Sequence, residues 1–530
     1  MDELILDILQ QLRDGSQGAL DTHQLEMLIN AHNSGIDSSA HSTEREKLIP
    51  KRAILPYFLQ VKQKNDELWQ SWNVTPELEE RFIRSVRMKP RRTASGVATI
   101  TVITRPHTCS SNCIYCPCDL RMPKSYLANE PACQRAELTF FDPYVQVAAR
   151  LQALHQMGHS TDKVELIVLG GTWSDYPEGY QYWFIKELFR ALNDWPNSPS
   201  YIQERLDWYT SFGLQNTEEA LSSFVAEQQA AVFEDTATYN QAFHKLYDTS
   251  QPHQSAWSQM ESTYDELVEQ QHVNETAAAR VVGLVIETRP DTITPDNLHM
   301  FRQLGCTKIQ IGIQSTRQEI LDANKRQMSA AQIKRAFSLI RLYGFKIHSH
   351  LMVNLLGATP EADKQDFKTF VTDPGFLPDE IKLYPCALVS GTQLVQKYRE
   401  GTWQPYDKDE LVDVLVQDVL NTPPYVRISR MIRDISATDI LVGNKHTNLR
   451  QMVEQELAAK DVARRVQEIR FREINQQQVR AAELTLQDFP YTTAVSDEHF
   501  LQWVTADNKI AGFCRLSLPH WDKLTSGACD

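Results

Sequence analysis

The spacing of hydrophobic positions changes near residue 96. Before it, apolar residues recur every three or four positions, in LILDILQQL and again in LIPKRAILPYFLQV, as they do on one face of a helix. After it, short β-branched runs take over: GVATITVIT, VELIVLGG at 164–171, VVGLVIET at 281–288, CTKIQIGIQS at 306–315, KIHSHLMV at 346–353 and DEIKLYPCALV at 379–389. These runs are apolar almost throughout, the mark of strands covered on both faces, and amphipathic segments such as PDNLHMFRQLG separate them. The pattern predicts an α/β fold in which a parallel sheet curves into a partial or complete β/α barrel, with chemistry at the C-terminal ends of its strands. The connection over 193–278 is rich in Gln, Glu, Ser and Thr and contains TEEALSSFVAEQQAAVFED, so it is expected to be a helical insertion.

At 530 residues the chain is long enough for several structural units. Its mean hydropathy of -0.42, the lack of an apolar run near 20 residues, and Asp2, Glu3 and Asp7 where a signal peptide is basic predict a cytoplasmic protein without a membrane partner. A net charge of -14 excludes a uniformly basic nucleic-acid binder and directs attention to local patches. One such patch is RFIRSVRMKPRR, where Arg81, Arg84, Arg87, Lys89, Arg91 and Arg92 occur with no acid between them. A solvated helix end would look the same, but this run leads directly into the chemical motif.

Four of the nine cysteines, Cys109, Cys113, Cys116 and Cys118, fall within ten residues and Cys133 follows soon after, which points to a metal or cluster site and not to disulfides. The dispersed Cys306, Cys386, Cys514 and Cys529 are expected to be packing thiols. In Cys109-Ser-Ser-Asn-Cys113-Ile-Tyr-Cys116 a short loop after the first strand can turn three thiolates onto three irons of a 4Fe-4S cluster, leaving the fourth open. The alternative is zinc held by the triad with His107 or Cys118.

Cysteines at this spacing after the first barrel strand, with Tyr115 before the last of them, resemble the signature of the radical S-adenosylmethionine enzymes. The segments IYCP at 114–117, SYLANEP at 125–131, VELIVLGGTWS, GLVIETRPD at 283–291, GIQS at 312–315, IKLYP at 381–385 and RISRMIRDISA at 427–437 narrow the resemblance to the Elongator catalytic subunit and its bacterial and archaeal single-chain relatives, the tRNA uridine-34 acetyltransferases. It runs from about residue 80 to about 520. It implies a radical S-adenosylmethionine partial β/α barrel over 94–395, preceded by an N-terminal helical, tRNA-binding region over 1–93 and followed by linker helices over 396–470.

By the same resemblance, the open iron would chelate S-adenosylmethionine, reduction by an electron donor would release a 5'-deoxyadenosyl radical, and the protein would modify carbon 5 of the wobble uridine of tRNA with acetyl-CoA as the acyl substrate. Gly170, Gly171 and Thr172 after the second strand, with Glu287 and Gln314 closing the third and fourth, are the implied cofactor contacts; strand-end glycines and rim polar groups also occur for steric reasons alone. Lys382 and Tyr384 on the sixth strand are the candidate catalytic residues. They, like His348 and His350 on the fifth, would point into the barrel, where an internal hydrogen-bond network is the competing reading. Arg289 is a candidate contact to the acyl donor or a phosphate, and Arg427, Arg430 and Arg433 are candidate phosphate contacts.

Two departures stand out. HFLQWVTADNKIAGFCRLSLP at 499–519 resembles the first hairpin of a GNAT acetyltransferase domain, with Asp507-Asn508 at the turn, but no Q/R-x-x-G-x-G/A loop follows Leu518. The expectation is an incomplete GNAT-like α/β unit over 471–530 and weak acetyl-CoA binding. Val466 stands where relatives carry a zinc-ligating cysteine, so no zinc ligands are assigned. The competing functions are a tRNA-binding relative impaired in catalysis and another radical enzyme that modifies tRNA, such as a methylthiotransferase; that class needs a second cysteine triad, which the scattered cysteines do not supply.

Overall fold

Strands form where the near-continuous apolar runs lie. In the computed structural model, which describes residues 1–15, 18–34, 48–475 and 477–525, these are β1 (Ala98–Ile103), β2 (Lys163–Leu169), β3 (Arg280–Thr288), β4 (Lys308–Gln314), β5 (Lys346–Val353) and β6 (Glu380–Pro385). The two-residue β7 (Leu388–Val389), β8 (Arg427–Arg430), β9 (Ile440–Val442), β10 (Thr485–Thr492), β11 (Ser496–Val504) and β12 (Ile510–Pro519) complete the set. The main sheet has seven strands in the order β1-β2-β3-β4-β5-β6-β8, every pair parallel. Each crossover adds its strand beside the last, as expected when helices return over one face of the sheet. The sheet does not close, because β1 and β8 each pair on one side only. Side chains occupy the free sides: Gln146 accepts a hydrogen bond from the Ile103 amide (2.9 Å) and donates one to the Ile103 carbonyl (2.9 Å), and Glu468 accepts from the Ile428 amide (3.3 Å).

The sequence pattern located six of these seven strands. The seventh, β8, lies inside 396–470, the stretch expected to be linker helices, which also holds the helices Lys408–Asn421 and Leu449–Ala459. Its four residues, RISR, carry an arginine at each end and offer no apolar run to read. The single run DEIKLYPCALV divides into β6 and β7, and β7 turns away to pair antiparallel with β9.

The N-terminal helices enclose a core of their own built on Leu4, Ile5, Ile8, Leu9, Leu12, Phe58, Trp72 and Phe82, with Phe58 stacked on Phe82 at 4.1 Å. The insertion over 193–278 is helical, including Ile202–Ser211, Glu218–Phe233, Tyr239–Phe243, Gln251–Trp257 and Tyr264–Asn274. The expected C-terminal hairpin is β11-β12, with Asn508 in the left-handed conformation at its turn (φ 63°), and β10 extends it to three antiparallel strands. This sheet is tied to the barrel by ion pairs from Arg341 to Glu498 (3.3 Å) and Arg515 to Asp379 (3.1 Å) and by the stacked rings of Tyr425 and Tyr491 (3.8 Å). Val466 is buried in the main core. Among the described residues no helix is long and apolar enough to cross a membrane.

A candidate radical centre at the mouth of the half-barrel

The loop after β1, residues 104–130, crosses the C-terminal rim without helix or strand and carries the cysteine triad. Cys113 is buried, whereas Cys109 and Cys116 are half-buried. The Cys113 sulfur lies 3.1 Å from Ser111 Oγ and 3.4 Å from Arg326 Nη1. Burial alone would raise the Cys113 thiol, but the Arg326 charge and these hydrogen bonds outweigh it and bring its pKa down to about 7. Burial pushes Cys116 up to about 12. Burial also opposes the charge of Lys124, whose ammonium donates to the Ser111 carbonyl (2.8 Å), yet the four sulfurs of Cys116, Cys118, Cys109 and Cys113 outweigh it and raise its pKa. One cation thus faces all four thiols, and a second, Arg326, touches the innermost.

These residues fit the cluster that the triad implies. Two buried cations offset the charge that thiolates and a reduced cluster would bring. Among the described residues no three His, Cys, Asp or Glu side chains gather tightly enough to hold one metal ion, and thiolates that each meet a different iron need not do so. The proposed zinc ligands are otherwise engaged. His107 donates through Nε2 to the Asp175 carbonyl (2.8 Å) and is held neutral, its pKa lowered to about 4 by burial and by Arg105, while the Cys118 thiol points to the Cys116 carbonyl (3.3 Å).

Gly170 and Gly171 end β2 against this loop with φ of 153° and 86°. A Cβ on Gly170 would lie 1.7 Å from Thr104 Oγ1, and one on Gly171 would lie 3.1 Å from the Lys124 carbonyl. The close approach of β1 and the loop therefore accounts for both glycines without a ligand. Thr172 is buried and sets its hydroxyl 3.7 Å from the Cys109 sulfur.

Gln314, at the end of β4 with φ 72°, keeps a buried Oε1 with no hydrogen-bond partner, an acceptor available to a bound amino group. Glu287 is less available: one oxygen accepts the Tyr126 phenol and the other lies 3.7 Å from His350 Nδ1.

Parallel register places His350 beside Lys382 and Met352 beside Tyr384. Lys382 donates to Gln310 Oε1 (2.6 Å), which His350 Nε2 also reaches (3.1 Å), and the Tyr384 ring lies edge-on to His350 at 5.6 Å. Burial lowers Lys382 to about 8 despite the nearby Glu287 carboxylate and keeps both histidines neutral. Lys382 thus belongs to the internal hydrogen-bond network, and Tyr384 meets it through its ring. Gln310 and Tyr126 were not singled out from sequence, although Gln310 is a polar residue in an apolar strand, the signal that marked His348 and His350. Arg326 and Lys124 gave no such signal, because both sit in irregular loop sequence.

The basic run divides. Arg81 donates to the Gly18 carbonyl (3.0 Å), Arg84 pairs with Glu80 (2.6 Å), Arg87 is half-buried, and Lys89, Arg91 and Arg92 are exposed. Folding adds Arg135 and Arg150, far away in sequence: burial and the like charges of Arg135 and Arg92 lower Arg150 to about 10. Arg427, Arg430 and Arg433 are instead paired with Glu473, Asp434 and Glu130, and Arg289 forks onto Asp291 (2.9 and 2.8 Å).

Residues 253–369 match the family described as the Radical SAM superfamily, and residues 378–459 match the Radical SAM C-terminal domain. The first match begins beyond the cysteine loop. A tRNA uridine(34) acetyltransferase of Dehalococcoides mccartyi is 33% identical over 81% of this chain and 79% of its own length. Another, of Methanocaldococcus infernus, is 34% identical over 76% of this chain, which spans 63% of that protein. The solved structure of archaeal Methanocaldococcus infernus Elp3 with an N-terminal deletion superposes with a TM-score of 0.59 at 29% identity, covering 80% of this chain and 78% of that one. Taken with the open parallel sheet and the cysteine loop at its rim, these likenesses place the chain in the tRNA uridine(34) acetyltransferase family, within the radical S-adenosylmethionine superfamily.

Proposed function

We propose that this chain modifies carbon 5 of the wobble uridine of tRNA, with acetyl-CoA as the acyl source and S-adenosylmethionine as the radical source. The observation that carries this reading is the triad loop at the strand ends, with Arg326 against Cys113 and the row Gln310, His350, Lys382 and Tyr384 lining the sheet below. Cys109, Cys113 and Cys116 would hold a 4Fe-4S cluster, and together with S-adenosylmethionine it supplies one-electron reductive cleavage to a carbon radical. Gln314 offers its unpartnered oxygen to the amino group of the cofactor, with Thr172 and the Gly170–Gly171 turn alongside. Lys382, neutral above about pH 8, can take or return a proton beside the substrate, and Gln310 fixes the direction of its amine. Burial keeps the Tyr384 phenol protonated and able to donate. The exposed cations Lys89, Arg91 and Arg92, with Arg135 and Arg150, would hold the tRNA backbone. A cytoplasmic electron donor would reduce the cluster. The β10-β11-β12 sheet would belong to a GNAT-like unit that handles the acyl group.

The test is anaerobic reconstitution followed by incubation with dithionite, S-adenosylmethionine, acetyl-CoA and tRNA. Formation of 5'-deoxyadenosine, with a modified uridine in the nucleoside digest, is the expected result. Cleavage of S-adenosylmethionine with no change in tRNA would favour another radical reaction, and tRNA binding with no cleavage would favour the impaired relative.

A further inference from the structure

The irregular loop that carries the triad must find partners for its backbone groups without a strand or helix of its own. Its inner part finds them in the barrel: the Ile114 amide donates to the Asn324 carbonyl (3.3 Å) and the Ile114 carbonyl accepts from the Leu394 amide (2.9 Å). Its two flanks find them in the insertion. Asn240 brackets Cys109, accepting from its amide (3.1 Å) and donating to its carbonyl (2.9 Å). Gln229 forms a second bracket past the triad, accepting from the Leu120 amide (2.8 Å) and donating to the Cys118 carbonyl (2.8 Å). The phenols of Tyr247 and Tyr239 donate to the carbonyls of Leu120 (2.7 Å) and Met122 (2.8 Å). Leu120 is buried among Val225, Val232, Tyr239, Phe243, Leu246 and Tyr247, all from the insertion. At the start of the loop the Arg105 guanidinium sits over the Trp257 ring (4.0 Å).

We infer that the insertion over 193–278 is a clamp on the cluster loop, in which Asn240 and Gln229 are positioning residues that set how firmly, and in what electrostatic setting, Cys109 and Cys116 present their sulfurs, Asn240 by holding the Cys109 peptide and Gln229 by holding the backbone just past Cys116. Six side-chain hydrogen bonds from the insertion end on the backbone of residues 109–122, on both sides of the triad. Both brackets use a primary amide, the side chain that sets N–H donors beside a carbonyl acceptor as a peptide group does. An acid in either place would keep the acceptor and lose the donor. The loop would then be half held, which makes Asn240→Asp and Gln229→Glu graded counterparts of Asn240→Ala and Gln229→Ala.

The inference rests on the triad's holding a cluster, so the experiment separates the two. The full chain is reconstituted anaerobically and three properties are read: the rate of iron loss to a chelator, the reduced-cluster EPR spectrum and the midpoint potential. Wild-type chain that takes up no 4Fe-4S cluster would overturn the proposed site, and with it the clamp. If wild type loads, Asn240→Ala and Gln229→Ala should each lose iron faster, on the order of tenfold for two hydrogen bonds removed, with an altered EPR envelope or potential. The acid variants should fall between. Variants of both kinds that match wild type in iron loss, spectrum and potential would overturn the clamp alone. A lowered melting temperature with those three unchanged would also overturn it, since that is what packing without positioning predicts.

Discussion

Replacing Gly170 with alanine separates the two reasons a glycine can stand beside a cofactor site. The structure places the new Cβ 1.7 Å from Thr104 Oγ1, 2.9 Å from Thr104 Cβ and 3.3 Å from its Cγ2, at a φ of 153° that side-chain-bearing residues avoid. The backbone conformation costs about 1–3 kcal/mol and the overlap with a buried neighbour about 1–3 kcal/mol more. Thr104 cannot yield freely, because it is buried and its hydroxyl lies 2.7 Å from the Tyr176 phenol. At roughly 2 °C per kcal/mol for a domain of this size, Gly170→Ala should lower the barrel's thermal transition by roughly 4–12 °C. Thr104→Ala removes the nearest atom but keeps a Cβ at 2.9 Å and leaves the strained backbone, so the double variant should recover most of the overlap part and none of the backbone part, a coupling of about 1–2 kcal/mol. Differential scanning fluorimetry of the four proteins, without any cofactor, reads all of this. A Gly170→Ala protein that melts with wild type would refute the packing account. If it also failed to cleave S-adenosylmethionine, the glycine would be there for the ligand.

Other outcomes follow from the same geometry. Cys109→Ala, Cys113→Ala and Cys116→Ala should each lose the visible absorbance of the reconstituted cluster, whereas Cys118→Ala, whose thiol only touches a carbonyl, should keep it. With Lys382 lowered to about 8, a step that needs its neutral amine should rise through about pH 8, and Lys382→Met should remove that limb from the pH–rate profile. Because the unfolded amine titrates near 10.5, the cost of a buried charged lysine is present below pH 8 and is relieved between pH 8 and 10.5, so this group adds stability as pH rises through that window. Replacing Arg92, Arg135 and Arg150 with alanine should weaken tRNA binding and flatten its salt dependence by roughly one unit of slope for each phosphate left without its cation, in filter binding at several salt concentrations; an unchanged slope would refute the placement.

What could be read from the chain depended on whether the signal was local. Six barrel strands were legible because burial on both faces forces unbroken apolar runs, and the triad because three thiols on one short loop must be close in sequence. β8 was hidden, since two of its four residues are arginines that pair with acids only after folding. Arg326 reaches Cys113 across 213 residues and Arg150 reaches the basic patch from the middle of a helix, and no spacing rule joins such partners. The helical character of the insertion was legible in its composition, but its hold on the loop was not. Asn240 and Gln229 are ordinary polar residues until the fold sets each against a particular peptide.

The side-chain caps on β1 and β8 determine what kind of opening the half-barrel has. The amide of Gln146 offers Ile103 the donor and acceptor that a neighbouring strand would offer, yet it carries no next residue to continue a ladder, and at Ile428 the Glu468 carboxylate accepts from the amide while Arg450 donates to the carbonyl. An edge finished in this way does not recruit a strand from another molecule at that step, and it does not zip to its opposite edge. What joins the two flanks is side chains and not backbone: Asn129 donates to Asp439 (3.0 Å) and Arg433 pairs with Glu130 (3.6 Å), a join that carries no ladder of peptide hydrogen bonds.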